Sequence, residues 1–165
     1  AFIIADQNGE KHIGGTGVGG GTLLGLSNKM LNVRHFEDLV AMAKGGNLAN
    51  VDLNIGDITK DKMETLPPDI TASNFGKISD LASKEDIALG IINLVFQTIG
   101  MFAVFASRIH QTISVVLTGN LTNVPQSHII FETLHKLHNV SYHMPNNAEF
   151  ATAVGATLSP PRQML

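Results

Sequence analysis

The chain has 165 residues, of which 44% are hydrophobic and 15% charged, with a formal net charge of −3 and no cysteine. This length predicts one domain with a substantial core. The acidic balance argues against a nucleic-acid-binding module with a basic patch, and the lack of cysteine excludes disulfide and thiolate sites.

The charged share is low compared with the ~25% typical of soluble domains. We therefore expect a partner chain or a further domain to cover part of the surface. The chain starts with an alanine in the middle of an apparent strand, and it shows no signal peptide. These features predict a cytoplasmic protein that lacks an amino-terminal region.

A β-hairpin and a glycine-rich loop are the first predicted elements. Residues 2–5 are apolar, residues 6–9 contain the turn dipeptide Asn-Gly, and residues 11–13 return toward the loop. Six of the ten residues from 12 to 21 are glycine, so the backbone can approach a ligand closely. A loop of this kind before a helix indicates phosphate binding, with a plain hairpin or hinge as the alternative. It fits neither the Walker pattern nor the Gly-x-Gly-x-x-Gly fingerprint.

Two helices and an arm follow the loop. Apolar residues recur at spacings of three and four from Thr22 onward and again over residues 36–44, where the glycine pair 45–46 ends the second helix. Residues 47–78 hold no sustained period, which predicts an ordered arm or lid. Its carboxylates are candidates for a general base or a magnesium contact, with simple solvation as the alternative: Asp52, Asp57 and Asp69.

The longest predicted helix begins after Ser83, a candidate N-cap followed by two acidic residues. Residues 87–106 are almost all apolar and could cross a bilayer by length alone. Polar residues within the run and the absence of an aromatic belt favour a buried central or dimer-forming helix. Gly100, Ala103 and Ser107 form a stripe of small residues suited to close helix packing.

The last third of the chain predicts a right-handed βαβ unit with a parallel sheet. Residues 113–117 form a β-branched run, residues 127–137 a helix, residues 140–143 a second strand and residues 148–158 a final helix. Ligands bind at the carboxyl ends of such strands, which is where Gly119 and Asn120 lie. The histidines of this region lack a carboxylate pair at a familiar ligand spacing, so no metal site is predicted for His128, His135, His138 and His143.

The glycine loop HIGGTGVGGGTLLGL (residues 12–26) resembles the corresponding loop of type II (fumble-like, eukaryotic-type) pantothenate kinases. Further segments are similar to that family in the same order: NVDLNIGDI (50–58), DITASNFGK (69–77), the helix 85–108, VLTGN (116–120) and EFATAVGA (149–156). The combination of the glycine loop with TASNFGK is the specific part of the resemblance.

The resemblance implies an α/β fold, namely the ribonuclease-H-like half of an actin/Hsp70/sugar-kinase-type fold with a mixed sheet and packed helices. Residues 1–165 would be the carboxyl-terminal kinase domain of an enzyme that phosphorylates pantothenate with ATP and Mg²⁺ in coenzyme A biosynthesis. The family's first phosphate loop and its catalytic glutamate would belong to an absent amino-terminal half. No catalytic residue and no metal ligand is therefore assigned to this chain.

The resemblance also implies two sets of site residues. The ATP-binding set is Gly20, Gly21, Thr22, Leu23, Leu24, Phe36, Gly119 and Asn120. The substrate-binding set is His12, Gly14 and Gly15, and His12 stands where the family usually has an arginine that grips pantothenate. An imidazole is charged only in part at neutral pH and lacks the bidentate fork of a guanidinium, so the substrate contact would be altered.

The expected partners are pantothenate, ATP, and either a second copy packed through helix 85–108 or the missing half, with no nucleic acid and no membrane. Two alternatives remain open at this point. One is a non-catalytic subunit that binds nucleotide or a partner, and the other is a related sugar-kinase-like ATPase.

Overall fold

A long central helix organises the computed structural model, which describes residues 1–59 and 66–158. The helices are α1 (Gly20–Leu31), α2 (Phe36–Ala43), α3 (Ile55–Ile58), α4 (Lys84–Ile109), α5 (Gln126–His138) and α6 (Ala151–Leu158). The strands are β1 (Phe2–Asp6), β2 (Gly9–Gly14), β3 (Leu53–Asn54), β4 (Thr71–Ser73), β5 (Ser114–Val116) and β6 (Ser141–His143). Short 3-10 helices cover Leu48–Asn50, Asn120–Asn123 and Ala148–Phe150.

The predicted hairpin and helices are confirmed. Strands β1 and β2 pair antiparallel, with Asp6 opposite Gly9 across the turn, where Asp6 Oδ1 accepts a hydrogen bond from the Asn8 N–H at 2.7 Å. Helix α2 begins at Phe36 as predicted, whereas α1 begins at Gly20, two residues before the predicted Thr22. The helix therefore starts inside the glycine run.

Helix α4 packs against α1, α2 and α5 and supplies the centre of the core. The Phe96 ring meets the Phe131 ring of α5 edge-on, with centroids 5.8 Å apart and planes at 88°, an arrangement favoured by the ring quadrupoles. Fully or almost fully buried side chains come from every helix of this layer: Leu23, Leu39, Ile91, Ile92, Val95, Phe96, Phe131 and Leu134. Each such side chain contributes about 1.5–3 kcal/mol on burial.

Helix α4 is long and apolar enough to span a membrane by length and composition. In this fold, however, 56% of its most apolar 18-residue window is buried inside the protein. Its buried Asn93 donates to the Asp52 side chain at 2.7 Å, which accounts for a polar residue in an otherwise apolar helix. The prediction of a central packed helix is therefore confirmed.

Gly100 lets α4 and α5 approach closely, as the small-residue stripe predicts. A Cβ atom at this position would collide with the Leu134 side chain and lie 3.3 Å from the Phe131 ring. The Gly100 carbonyl also accepts a hydrogen bond from the Tyr142 hydroxyl at 3.0 Å. Burial raises the pKa of Tyr142 to about 12, so this hydroxyl stays a donor throughout the physiological range.

The amino-terminal end of α4 is anchored by Asp86. Ser83 caps the helix, accepting from the Asp86 N–H at 3.1 Å, while the Asp86 carboxylate accepts from the Ser83 N–H at 3.0 Å. The same carboxylate accepts from the Asn50 side chain at 3.0 Å and the Asn47 N–H at 2.7 Å. The Asn50 amide is the largest of the causes that hold the pKa of Asp86 at about 2, against the opposing effect of burial. This carboxylate binds the start of the arm to the amino-terminal end of α4, where the helix dipole favours a negative charge.

The predicted βαβ unit is present, since β5 and β6 pair in parallel and α5 connects them. The predicted mixed sheet is seen in part: the described residues form three separate two-stranded sheets, with β1–β2 and β3–β4 antiparallel and β5–β6 parallel. A cleft lined by residues of β1 and β5 lies between ribbons β1–β2 and β5–β6. The fold is thus α/β with small sheets and packed helices, and the ribonuclease-H-like arrangement stays a prediction.

We predict that Asp86→Asn lowers the free energy of unfolding near pH 7 by about 1–2 kcal/mol, because a charged acceptor at the helix start is lost. The folded pKa of about 2 lies below the unfolded value of 3.8. The carboxylate therefore stabilises the fold fully above about pH 5 and loses this effect as the pH falls toward 2. Urea unfolding across this range should show a shallower acid-side loss for Asp86→Asn. The exposed Asp80→Asn is the matched control, and equal slopes for wild type and Asp86→Asn would contradict the prediction.

Candidate functional site

The glycine loop joins β2 to α1 and is folded by its own threonines. The Thr22 hydroxyl accepts from the Gly19 N–H at 3.2 Å and donates to the Gly17 carbonyl at 3.0 Å. The Thr16 hydroxyl accepts from the Val18 N–H at 3.1 Å. These short-range hydrogen bonds hold the glycine-rich loop in one defined conformation immediately before the helix.

The first turn of α1 carries backbone N–H groups that have no hydrogen-bond partner within residues 1–59 and 66–158. The N–H groups of Gly20 and Gly21 lie in the first helical turn, where an α-helix offers no intrahelical acceptor. The first turn holds no acidic side chain, so the positive end of the helix dipole is unneutralised there. Such a terminus suits an anionic ligand, and phosphate is the usual one.

Leu23 and Leu24, in the first turns of α1, differ in burial. Leu23 is fully buried in the core, and its N–H donates to the Gly19 carbonyl at 3.0 Å. Its side chain thus anchors the first turn of α1 to the hydrophobic core. Leu24 is partly exposed and leaves its apolar surface accessible.

The turn that follows β5 requires a glycine. Gly119 adopts φ +97°, a conformation that side chains disfavour, and its N–H donates to the Ala148 carbonyl at 2.9 Å. The Thr122 hydroxyl donates to the Gly119 carbonyl at 2.7 Å, which closes the turn, and Asn120 is exposed at its tip. The turn therefore projects a polar amide while its backbone is fixed.

The structure brings the glycine loop and the Gly119 turn together. A Cβ atom placed on Gly20 would lie 3.9 Å from the side chain of Leu121, the residue after Asn120. Two of the predicted ATP-binding segments, far apart in the sequence, therefore lie side by side. Phe36 is placed differently, as the first residue of α2, half-buried against the core cluster. Its contact with a nucleotide stays a prediction.

The predicted substrate residues lie at the end of β2. His12 is exposed and opposes Ile3 across the hairpin, while Gly14 opposes Phe2 and adopts φ +152°. A Cβ atom on Gly15 would lie 3.7 Å from the Cα atom of Ala1. His12 therefore offers an accessible imidazole two residues before the glycine run begins.

Asp52 is a structural carboxylate. Its side chain is fully buried and accepts from the Phe75 N–H at 2.8 Å and the Asn93 amide at 2.7 Å. It also accepts from the Thr71 hydroxyl at 3.1 Å and the Asn74 amide at 3.4 Å. With its acceptor sites occupied by neutral donors, this carboxylate holds the arm against α4 instead of serving as a general base.

The other two acidic candidates of the arm are at the surface. Asp57 pairs with Lys77 at 2.7 Å and accepts from the Asn54 N–H at 2.9 Å. The hydrogen bond from Lys77 is the main cause that lowers the pKa of Asp57. Asp69 is exposed. The remainder of the predicted arm, residues 60–65, lies outside the described residues.

The histidines do not cluster into a metal site in the part of the chain that the structure describes, where no group of three or more potential ligand side chains is found. His135 Nδ1 lies 3.0 Å from the Val140 carbonyl, a contact across the turn after α5. His138 Nδ1 lies 3.5 Å from Arg108 Nη2, and burial, followed by the Arg108 charge, lowers the pKa of His138. Both histidines have local packing partners.

Residues 2–156 match the profile of the Fumble family. A type II pantothenate kinase of Oceanobacillus iheyensis is 35% identical over 153 residues, which cover 91% of this chain and 58% of that protein. A type II pantothenate kinase of Bacillus cereus (strain G9842) is 34% identical over 122 residues, 71% of this chain and 45% of that protein. One from Bacillus anthracis is 47% identical over 64 residues, 39% of this chain and 23% of that protein. The matched part of this chain thus spans a little more than half of the Oceanobacillus iheyensis protein and less than half of the other two. With its profile match covering nearly the whole chain, it belongs to the Fumble family.

Proposed function

We propose that this chain is the ATP-binding, carboxyl-terminal portion of a type II pantothenate kinase, which phosphorylates pantothenate in coenzyme A biosynthesis. The observation that carries the proposal is the proximity of Gly20 to Leu121, whose side chain would lie 3.9 Å from a Cβ atom built on Gly20, so that the glycine loop lies beside the Gly119 turn. The relatives, named as type II pantothenate kinases, support the choice of reaction.

In this proposal the start of α1 holds the nucleotide phosphates. The N–H groups of Gly20 and Gly21 donate to phosphate oxygens, and the Thr22 hydroxyl keeps the loop in shape. Gly119 and Asn120 flank the adenosine. Mg²⁺ bound with ATP would neutralise charge on the β- and γ-phosphates. The catalytic acid or base comes from the part of the family's chain that this sequence does not match.

The substrate end of the site is assigned to His12, Gly14 and Gly15. The exposed imidazole of His12 can donate one hydrogen bond to the pantothenate carboxylate or amide, and the two glycines leave room for the chain of the substrate. A single donor grips a carboxylate less firmly than a guanidinium fork. We therefore assign this chain a weaker pantothenate contact than the arginine would give.

We further propose that the protein is cytoplasmic, has the ribonuclease-H-like topology and forms a homodimer through helix 85–108. Near its carboxyl end, α4 exposes an apolar stripe at helical spacing: Phe102, Phe105 and Ile109. The low fraction of charged residues in the sequence is consistent with a surface that a second copy of the chain covers.

Gly20→Asp should weaken ATP binding at least about ten-fold, because a carboxylate would stand in the first turn of α1 and repel the phosphates. Fluorescence titration with a labelled ATP analogue measures the effect. Gly25→Asp in the same helix is the matched control, since Gly25 is exposed and a Cβ atom there meets nothing within 4 Å. Equal ATP affinities for wild type and Gly20→Asp would contradict the loop assignment.

The enzymatic proposal is tested with a chimera in which this chain replaces the 153 matched residues of the Oceanobacillus iheyensis protein. We predict that this chimera is active. Incubation with pantothenate and MgATP should yield phosphopantothenate and ADP.

In the same chimera, His12→Arg should lower the KM for pantothenate with kcat changed by less than about two-fold, because a bidentate donor is restored. His128→Arg, a change at an exposed position of α5, is the control.

Two results would contradict the enzymatic proposal. A chimera that binds ATP but forms no phosphopantothenate would indicate the non-catalytic nucleotide-binding alternative. A chimera that phosphorylates sugars and leaves pantothenate unchanged would indicate the sugar-kinase-like alternative.

The dimer proposal predicts that Phe105→Glu converts the protein from dimer to monomer in sedimentation velocity, because a charge would replace an apolar contact at the centre of the stripe. Ile129→Glu removes an apolar side chain of α5 that is even more exposed than Phe105, and it should leave the dimer intact. A wild-type protein that sediments as a monomer at all concentrations would overturn the proposal.

A further inference from the structure

The tip of the β1–β2 hairpin is open to solvent. All residues from 5 to 12 are exposed, and strands β1 and β2 form a ribbon of only two strands. A two-stranded ribbon is marginally stable by itself, so its tip opens locally at little cost in free energy. The base of the hairpin is held more firmly, because Phe2 packs on Phe102 of α4 with ring centroids 6.0 Å apart. We therefore expect the hairpin to open from its tip.

The turn at this tip contains Asn8 followed by Gly9, the only Asn-Gly pair in the sequence. Both residues are exposed, and among the described residues only the Asn8 backbone N–H, and not its side-chain amide, makes a hydrogen bond in the turn. Gly9 adopts φ +119°, and a Cβ atom built on it would meet nothing within 4 Å. The Asn8 side chain is thus unrestrained, and no side chain crowds the Gly9 backbone on the side of its missing Cβ.

An asparagine in this position can react with the backbone that follows it. The Gly9 nitrogen attacks Cγ of Asn8, an N–Cγ bond forms, and the Cγ–Nδ2 bond breaks. Nδ2 leaves as ammonia and takes the amide proton of Gly9 with it, which leaves a five-membered succinimide ring. Water then opens the ring at either carbonyl carbon and gives aspartate or isoaspartate, in which the main chain runs through Cγ. Glycine favours the first step because it has no Cβ to hinder the attack.

We propose that Asn8 is a site of spontaneous deamidation in this chain and that the modification loosens the tip of the hairpin. The net reaction consumes one water molecule and releases one ammonia molecule, and it needs no further reactant. The proposal concerns the hairpin alone and holds whether or not the chain binds ATP or pantothenate.

Both products disturb the turn. Aspartate at position 8 places a second carboxylate beside Asp6, whose Oδ1 already lies 2.7 Å from the Asn8 backbone nitrogen, and like charges repel each other. Isoaspartate lengthens the main chain by one carbon within the short turn that sets Asp6 opposite Gly9. His12 lies opposite Ile3 in the same register, so its imidazole loses a fixed position when the tip unpairs.

The other asparagines supply the comparison within the same chain. Asn50, Asn74 and Asn93 donate side-chain hydrogen bonds to carboxylates, which restrain them. Asn146 is more similar to Asn8, since it is exposed in a turn, but Asn147 follows it in place of a glycine. Asn146 is therefore the internal reference for the reaction.

The test is peptide mapping of the full chain after incubation in ¹⁸O-labelled water at neutral and at mildly alkaline pH. Trypsin cleaves after Lys11 and releases residues 1–11 as one peptide, whose only asparagine is Asn8. Mass spectrometry should show aspartate and isoaspartate at position 8 with one labelled oxygen. Conversion should be faster at the higher pH, because the deprotonated amide nitrogen is the nucleophile. Conversion at Asn146 should be at least about ten-fold slower, since the side chain of residue 147 hinders the attack.

Three variants separate the chemistry from the exposure of the turn. Gly9→Ala should slow conversion at position 8 at least about ten-fold, although a side chain at φ +119° weakens the hairpin. Asn8→Gln should leave position 8 unchanged over the same time, because the longer side chain would have to close a six-membered ring. Asn147→Gly is the positive control. Residue 147 has φ +58°, which glycine adopts freely, so Asn146 should convert in this variant.

The structural consequence is measured by amide hydrogen exchange. Anion-exchange chromatography separates the modified chain, because it carries one more negative charge than the fresh chain. The amides of residues 5–12 should exchange faster in the modified chain, and faster with isoaspartate than in the variant Asn8→Asp, which has the charge but a normal main chain. The amides of β5 and β6, in a separate sheet, should exchange at unchanged rates.

Three results would overturn the proposal. One is that Asn8 stays intact while Asn146 converts in Asn147→Gly, which would show that the hairpin protects its turn. Another is that Gly9→Ala converts at position 8 as fast as the wild type, which would exclude attack by the backbone nitrogen of residue 9. The third is that residues 5–12 exchange equally in the modified and the fresh chain, which would make the modification structurally silent.

Discussion

The buried carboxylate of Asp52 is the interaction on which the arrangement of this chain depends. It is fully buried and held by neutral donors from the arm and from α4, among them the Phe75 N–H and the Asn93 amide. Burying an anion is unfavourable unless its acceptor sites are filled, so this network tolerates few alternatives and fixes the arm on the helix. Gly90 permits the approach, because a Cβ atom there would lie 3.0 Å from the Val51 side chain and 3.2 Å from the Phe75 ring.

With the arm fixed, α4 serves as a common support for segments that are distant in sequence. Helix α1 packs on it and presents the glycine loop, and α5 packs on it through Gly100 and leads to β6, which pairs with β5. The Gly119 turn and the start of α1 meet as a result, and the proposed nucleotide site lies where they meet. The same support leaves β1 and β5 on either side of one cleft. The proposed phosphate contacts thus depend on the packing around this one helix.

The sequence predicts those features of the fold that depend on neighbours along the chain. The hairpin, the helices, the cap at Ser83 and the parallel βαβ unit follow from periodicity and turn residues. The role of Asp52 does not, because its donors come from residues 71–75 and from α4, two segments that only the folded chain brings close to it. The one signal for it is Asn93, a polar residue inside an apolar helix. The mixed sheet is seen only as separate two-stranded sheets, because strand patterns in the sequence do not specify which strands pair. For the candidate site, sequence resemblance singles out Gly20 and Gly119, whereas the burial of Leu23 behind the loop becomes visible only in three dimensions.

The central claim is that the glycine loop and the Gly119 turn form one nucleotide site. Titration of the ¹⁵N-labelled chain with MgATP, followed by amide chemical shifts, tests it most directly. The account predicts that the amides of Gly20 and Gly21 shift together with those of Gly119 and Asn120, with one shared dissociation constant. Shifts in only one of the two segments, or at residues outside both, would contradict it.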